Sequence, residues 1–219
     1  MGILYIVATP IGNLSDISKR ALDIFKNVDL ILCEDTRQTQ KLLFSYQIQT
    51  SVISYHQHSE LKKVEYIIEL LKKGKKLALV SDAGTPGISD PGNKLVNEVV
   101  IKEVAEVISI PGATALAAAA SVSGWPMDKF LFLGFPPVKK KRKRFFEEVA
   151  GSLYPVIFYE SPFRIIKSLK ELSEINNNIE VVVCRELTKK FETVYRGKIG
   201  EILDKINPRG EFVVIAKNK

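Results

Sequence analysis

The chain has 219 residues, 46% of them hydrophobic and 26% charged, with a formal net charge of +7. That length suits one large or two small domains with an ample core, and no run of about 18 apolar residues is present to span a membrane. Cys33 and Cys184 lie far apart in apolar runs without CxxC spacing, so they read as buried thiols of a reducing cytoplasm, not as a disulfide or metal pair.

Ile3-Leu4-Tyr5-Ile6-Val7-Ala8 predicts a first strand, entered directly and without the basic n-region of a secretory signal. Residues 16–26 follow with Ile17, Ala21, Leu22 and Phe25 on one helical face. A strand is expected over 28–33, a helix over 60–73 and a strand over 77–80. Residues 81–92 then form a loop with three glycines, two prolines and two aspartates, ahead of a helix from about Pro91. Glycine permits positive φ and close approach of a ligand, and the helix turns its free N–H groups toward the loop. Such a junction can be a simple tight connection, but its length and its aspartates favour a ligand site around Asp82, Gly84 and Thr85.

Residues 104–110 predict another strand, and the alternation of helix and strand to about Ser121 argues for a parallel βαβ sheet. After Gly124-Trp125-Pro126 the strands crowd together, at 130–135, 156–159, 181–184, 192–197 and 212–216. The expected fold is therefore two-domain α/β: a largely parallel N-terminal sheet over 1–122, and a mixed C-terminal sheet with helices over 123–219.

Lys139, Lys140, Lys141, Arg142, Lys143 and Arg144 carry six of the net +7 charges, leaving +1 for the rest of the chain. A charge run is often only a solvated helix start. Six adjacent cations repel one another, however, and Phe145-Phe146 follow as anchors or stacking groups, which favours a nucleic-acid partner. No GxGxxG follows the first strand, and neither GxxxxGK[ST] nor Gly-x-Ser-x-Gly occurs. His56 and His58 form an HxH pair without a third ligand at suitable spacing, so no metal is expected.

Several blocks resemble one family. Ala8-Thr9-Pro10-Ile11-Gly12-Asn13-Leu14-Ser15-Asp16-Ile17 is similar to the opening of the tetrapyrrole methylase superfamily of S-adenosylmethionine (SAM) enzymes. Cys33-Glu34-Asp35-Thr36-Arg37, residues 81–92, Pro111-Gly112-Ala113-Thr114-Ala115, Phe158-Tyr159-Glu160-Ser161 and Arg185-Glu186-Leu187-Thr188-Lys189 resemble its branch of bacterial 16S rRNA cytidine 2′-O-ribose methyltransferases. The resemblance runs from about residue 3 to 216. It implies two α/β domains with SAM in the cleft between them, a homodimer, and methylation of a decoding-region cytidine in the small ribosomal subunit. It places SAM against Pro10, Asp82, Thr85, Ala113, Thr114, Tyr159 and Leu187. Many members continue into a small helical extension, whereas this sequence ends at Lys217-Asn218-Lys219, so any RNA contact made there is expected to be missing.

The polar residues beside these motifs are Glu34, Asp35, Arg37, Glu160, Arg185, Glu186 and Lys189. Arg185 is the candidate for holding phosphate or stabilising charge on the 2′-oxygen, with Glu160 or Glu186 orienting it or taking the proton, and Arg37 pinning the RNA. The competing expectation is that Arg185, Glu160 and Glu186 form only an ion-pair network. Two other functions stay open: a small-molecule methylase of the tetrapyrrole type, and a non-catalytic RNA-binding module. The basic run speaks against the first and the SAM-type loops against the second.

Overall fold

Apolar runs without strict alternation mark strands covered on both faces, and the N-terminal half is built from such runs. In the computed structural model, which describes residues 1–56 and 61–218, the chain divides into two units, Met1–Thr114 and Ala115–Lys219. The first unit runs β1 (Gly2–Val7), α1 (Lys19–Asn27), β2 (Leu30–Cys33), α2 (Thr36–Ser45), β3 (Val52–Ser54), α3 (Leu61–Lys72), β4 (Lys76–Leu79), α4 (Asn93–Ile101) and β5 (Ala105–Ile110). Its five strands are all parallel, in the order β3-β2-β4-β1-β5.

Local chemistry starts and stops these elements. Ser18 caps α1, its hydroxyl accepting from Ala21 N at 3.1 Å, and Ala21 and Phe25 bury one face. Val28, expected in a strand, instead ends α1 by donating to Ile24 O at 3.0 Å, so β2 begins only at Leu30. Helix α3 buries Val64, Ile67, Ile68 and Leu71, the stripe that helical spacing predicts. Leu4, Leu32, Leu77 and Leu79 pack with α3 and α4 in one core layer, and Val7, Ile31, Ala78 and Ile110 pack with α1 in another.

The second unit runs α5 (Ala115–Val122), β6 (Leu131–Phe132), α6 (Arg142–Gly151), β7 (Val156–Glu160), α7 (Ile165–Ile175), β8 (Glu180–Arg185), β9 (Thr193–Lys198), α8 (Ile199–Ile202) and β10 (Phe212–Lys217). Its sheet is mixed, in the order β6-β7-β10-β8-β9, with β6 parallel to β7 and the remaining pairs antiparallel. Its core joins Phe146, Val149, Phe158, Leu169, Leu172, Val183 and Val214. Helix α5 lies against β10, so the contacts divide the chain at Thr114, ahead of that helix.

Edge strand β6 is two residues long where six were expected. Its backbone still follows β7, with Leu133 N donating to Ile157 O at 3.0 Å and Tyr159 N to Gly134 O at 2.9 Å, until Pro136 and Pro137 remove the donors. Strand β3 was not anticipated, because three residues are too short to show a period.

Candidate functional site

Adjacent parallel strands release their following loops at one edge, and β4, β1 and β5 are neighbours. Thr9 N donates to Gly84 O at 2.9 Å and Gly84 N to Thr9 O at 3.1 Å, stitching the β1 and β4 loops together. The Thr9 hydroxyl adds a bond to Ser81 O at 3.3 Å, and the Thr85 hydroxyl donates to Ala113 O at 3.1 Å, joining the β5 loop. Gly84 has φ +80°, and a Cβ there would sit 3.3 Å from Ile11 Cγ2 and 3.7 Å from Ala113 O. A Cβ on Gly112 would meet Ala8 Cβ at 3.0 Å. The predicted Pro10, Asp82, Gly84, Thr85, Ala113 and Thr114 thus share one rigid loop cluster, which two glycines allow to close.

The β2 loop joins the cluster through Asp82, whose Oδ1 accepts from Asp35 N at 2.9 Å. Asp35 caps α2, accepting from Arg37 N at 2.8 Å, and also pairs with Arg37 Nη2 at 2.8 Å. The hydrogen bonds from Arg37 hold the Asp35 carboxyl down to about 2. The Arg37 side chain remains 84% exposed. Asp90, the second aspartate of the 81–92 loop, belongs here as well. Burial pushes its carboxyl up to about 6, a hydrogen bond from Ser81 pulls the other way, and Glu34 and Asp82 add to the rise. Glu34 is also raised, by burial first and then by Asp82, with His56 opposing.

A cavity of about 250 Å³ opens beside these loops, lined by Thr9, Pro10, Gln38, Lys41, Ser81 and Asp82 among others. It is below the ~300–1,000 Å³ of a whole drug-sized ligand site, so it suits part of a ligand. An open depression of about 670 Å³ over α2 shares Gln38 and Lys41 with it and is lined by Arg37 and Phe44. The edge therefore combines backbone donors and acceptors, three grouped carboxylates, and cations on the adjoining helix. That donor set fits a ligand carrying positive charge and hydrogen-bonding groups, as SAM does. Among the described residues no cluster of His, Cys, Asp and Glu is arranged to hold a metal ion, and His58 lies outside them.

The second unit disposes its predicted residues separately. Tyr159 packs its ring edge-on against Phe132 and Phe135, with centroids 5.0 and 5.5 Å away. Glu160, its side chain fully buried, takes Arg164 Nη2 at 2.8 Å and Ser161 N at 2.7 Å on one oxygen and the Ser168 hydroxyl on the other. Arg185 donates to Arg209 O at 2.6 Å and to Phe191 O at 3.0 Å. Glu186 accepts from Glu211 N at 2.9 Å and Lys189 Nζ at 3.0 Å. Burial raises Glu186, but these donors outweigh it and the net shift is downward. Arg185 and Glu186 therefore both tie the segment after β8 to the segment before β10, Glu160 holds residues 161–168, and no salt bridge joins the three to one another.

Leu187 is buried between two left-handed residues, Glu186 at φ 52° and Thr188 at φ 66°. The Thr188 hydroxyl is buried with no hydrogen-bond partner, an orphan donor beside a predicted ligand contact. Positive φ at a β-branched residue has no signature in sequence, so the strain at Thr188 shows only in the fold. The basic run is also divided. Arg142 is buried, donating to Glu171 Oε2 at 2.7 Å, Ser168 Oγ at 2.7 Å and Pro137 O at 3.1 Å, while Lys139, Lys140, Lys141, Lys143 and Arg144 are exposed. Phe146 and Phe145 pack edge-on against Phe158, anchoring the segment.

Comparison with known proteins agrees with this architecture. The chain matches the family Tetrapyrrole (Corrin/Porphyrin) Methylases over residues 3–203. It is 45% identical to Ribosomal RNA small subunit methyltransferase I of Thermotoga maritima, each chain covered over 100% of its length. To the protein of that name from Bacillus subtilis it is 45% identical, over 99% of this chain and 75% of that protein. Among solved structures, diphthine synthase superposes with a TM-score of 0.76 at 14% identity over 98% of this chain and 89% of that one. The methyltransferase CobJ superposes with a TM-score of 0.71 at 18% identity, over 100% of this chain and 95% of that one. The first match covers most of the chain and the two relatives nearly all of it: this chain belongs to the tetrapyrrole (corrin/porphyrin) methylase family.

Proposed function

We propose that this chain is a SAM-dependent methyltransferase that methylates the ribose 2′-oxygen of a cytidine in the decoding region of 16S rRNA. The observation that carries the reading is identity of 45%, end to end, with a relative named Ribosomal RNA small subunit methyltransferase I.

SAM supplies a methyl group on a sulfonium centre, so the transferred carbon arrives activated. The protein's work is then to hold the donor and align the acceptor, and alignment alone contributes ~7–11 kcal/mol. We assign the donor to the stitched loops carrying Pro10, Asp82, Gly84, Thr85, Ala113 and Thr114. Glu34, Asp82 and Asp90 offset its positive charge. Arg37 and Lys41, along the exposed side of α2, are assigned to the RNA backbone beside that edge. The exposed Lys139, Lys140, Lys141, Lys143 and Arg144 are assigned to further phosphates, where cations position a strand without reading its sequence. Arg185 and Glu186 are assigned to holding their loops. The working form in this reading is a cytoplasmic homodimer.

Five exposed cations favour RNA over a tetrapyrrole acceptor. The test incubates the chain with methyl-labelled SAM and small subunits from a strain lacking the corresponding gene. Label recovered as 2′-O-methylcytidine in 16S rRNA is expected. Label on a base, or transfer to a uroporphyrinoid with none to RNA, overturns the reading.

A further inference from the structure

Because β6 and β7 are parallel neighbours, the loops that follow them leave the second sheet side by side. The first of these loops leads through Pro136 and Pro137 into the basic run, and the second is Ser161-Pro162-Phe163-Arg164. Prolines cannot anchor a loop through their own N–H. Here their carbonyls do it: Pro136 O accepts from Arg164 Nη1 at 3.3 Å and Pro137 O from Arg142 Nη1 at 3.1 Å. Both guanidiniums converge on the buried Glu160, Arg164 directly at 2.8 Å and Arg142 chiefly through the Ser168 hydroxyl. One carboxylate thus braces both loops, and a buried pair of this kind does not slacken without leaving an unpaired charge.

The brace holds an unusual group outward. Phe163 is 95% exposed although its neighbour Arg164 is pinned. Residues 131–146 and 161–167 contain no Asp or Glu. Among the described residues no ion pair engages Lys139, Lys140, Lys141 or Arg144, and the nearby Glu147 and Glu171 take Lys143, Arg142 and Lys167. An unneutralised cationic segment beside a rigidly mounted, solvent-facing aromatic ring is complementary to a flexible polyanion with flat apolar faces.

We propose that Phe163 is a stacking platform for one base of single-stranded RNA whose phosphates lie along Lys139, Lys140 and Lys141, with Glu160 as the positioning residue that fixes ring and lysines relative to each other. This rests on the reading that the chain acts on RNA and adds where and how a strand is gripped.

The test measures anisotropy of a labelled single-stranded RNA dodecamer, and of the same backbone made abasic, on the full chain across a salt series. Phe163→Ala weakens binding of the intact RNA ~5- to 150-fold, the range of one stacked base. It leaves the abasic strand's affinity and the salt slope unchanged, and Phe163→Tyr restores binding. Replacing Lys139, Lys140 and Lys141 with Ser lowers the magnitude of the log–log salt slope by roughly 2, as loss of three phosphate contacts on a single strand should. Equal affinity of Phe163→Ala and the parent for intact RNA, with the lysine effect present, overturns the platform and keeps the RNA reading. Absence of salt-dependent RNA binding by the parent overturns both. A change of sedimentation mass in Phe163→Ala assigns the ring to a second copy of the chain and overturns the proposal.

Discussion

Single residues at the loop edge carry charge that responds to pH. Asp90 is the clearest case, a half-buried carboxyl raised from 3.8 to about 6. Between these values the folded chain holds more protons at this site than the unfolded chain, so stability falls as pH rises through that window. The undiluted penalty would be ~3 kcal/mol, which partial solvation reduces to about 1 kcal/mol at neutral pH. Asp90→Asn should therefore flatten urea-derived stability between pH 4 and 6 and leave the variant more stable than the parent at pH 7. A cation bound here favours the ionised carboxylate, so SAM affinity in the parent should rise with pH through 6, measured by calorimetry. Gly84 makes a second residue-scale prediction. Its φ of +80° and the 3.3 Å approach to Ile11 exclude a branched side chain, so Gly84→Val should lose SAM binding while circular dichroism stays native. Unchanged affinity in a folded variant would remove this loop from the site.

At the scale of elements, the buried frame beneath β6, β7, α6 and α7 sets the roles of similar-looking charges. Removing one partner from a buried pair costs ~3–5 kcal/mol, so Glu160→Gln should lower the urea midpoint strongly. Arg142→Ser should destabilise in the same way yet leave the RNA salt slope alone, because its guanidinium is spent inside. Replacing Lys139, Lys140, Lys141, Lys143 and Arg144 together with Ser should do the reverse, flattening the slope at near-parent stability. Arg185 likewise ties two loops through the Arg209 and Phe191 carbonyls. Arg185→Ala is expected to lose ~1–3 kcal/mol and lower Tm, while single-turnover methyl transfer stays within a few-fold of the parent. A fall of ~10²-fold or more at unchanged Tm would instead put Arg185 at the reacting atoms.

Across the whole molecule, the formal charge of +7 is concentrated in one segment, and no helix of the described residues is long and apolar enough to cross a membrane. Much of this architecture was readable in the chain itself. Apolar runs located most strands, and Gly and Pro marked the β4 loop, because period and turn chemistry are local properties. Parallel pairing followed from the helix between each pair of early strands. The remainder is decided by contacts between distant residues. Strand β3 exists because β2 offers it a ladder, and α5 joins the second unit because β10 offers it a face. Asp90 is raised by burial and by the company of Glu34 and Asp82, against the pull of Ser81, and the fold assembles these groups from two loops. Six neighbouring cations look alike in sequence, and it is Glu171 and Ser168 of α7, with the buried Glu160 of β7 behind them, that draw one of them inside. A side chain's role depends on what desolvates it and what pairs with it, and both are properties of the folded chain.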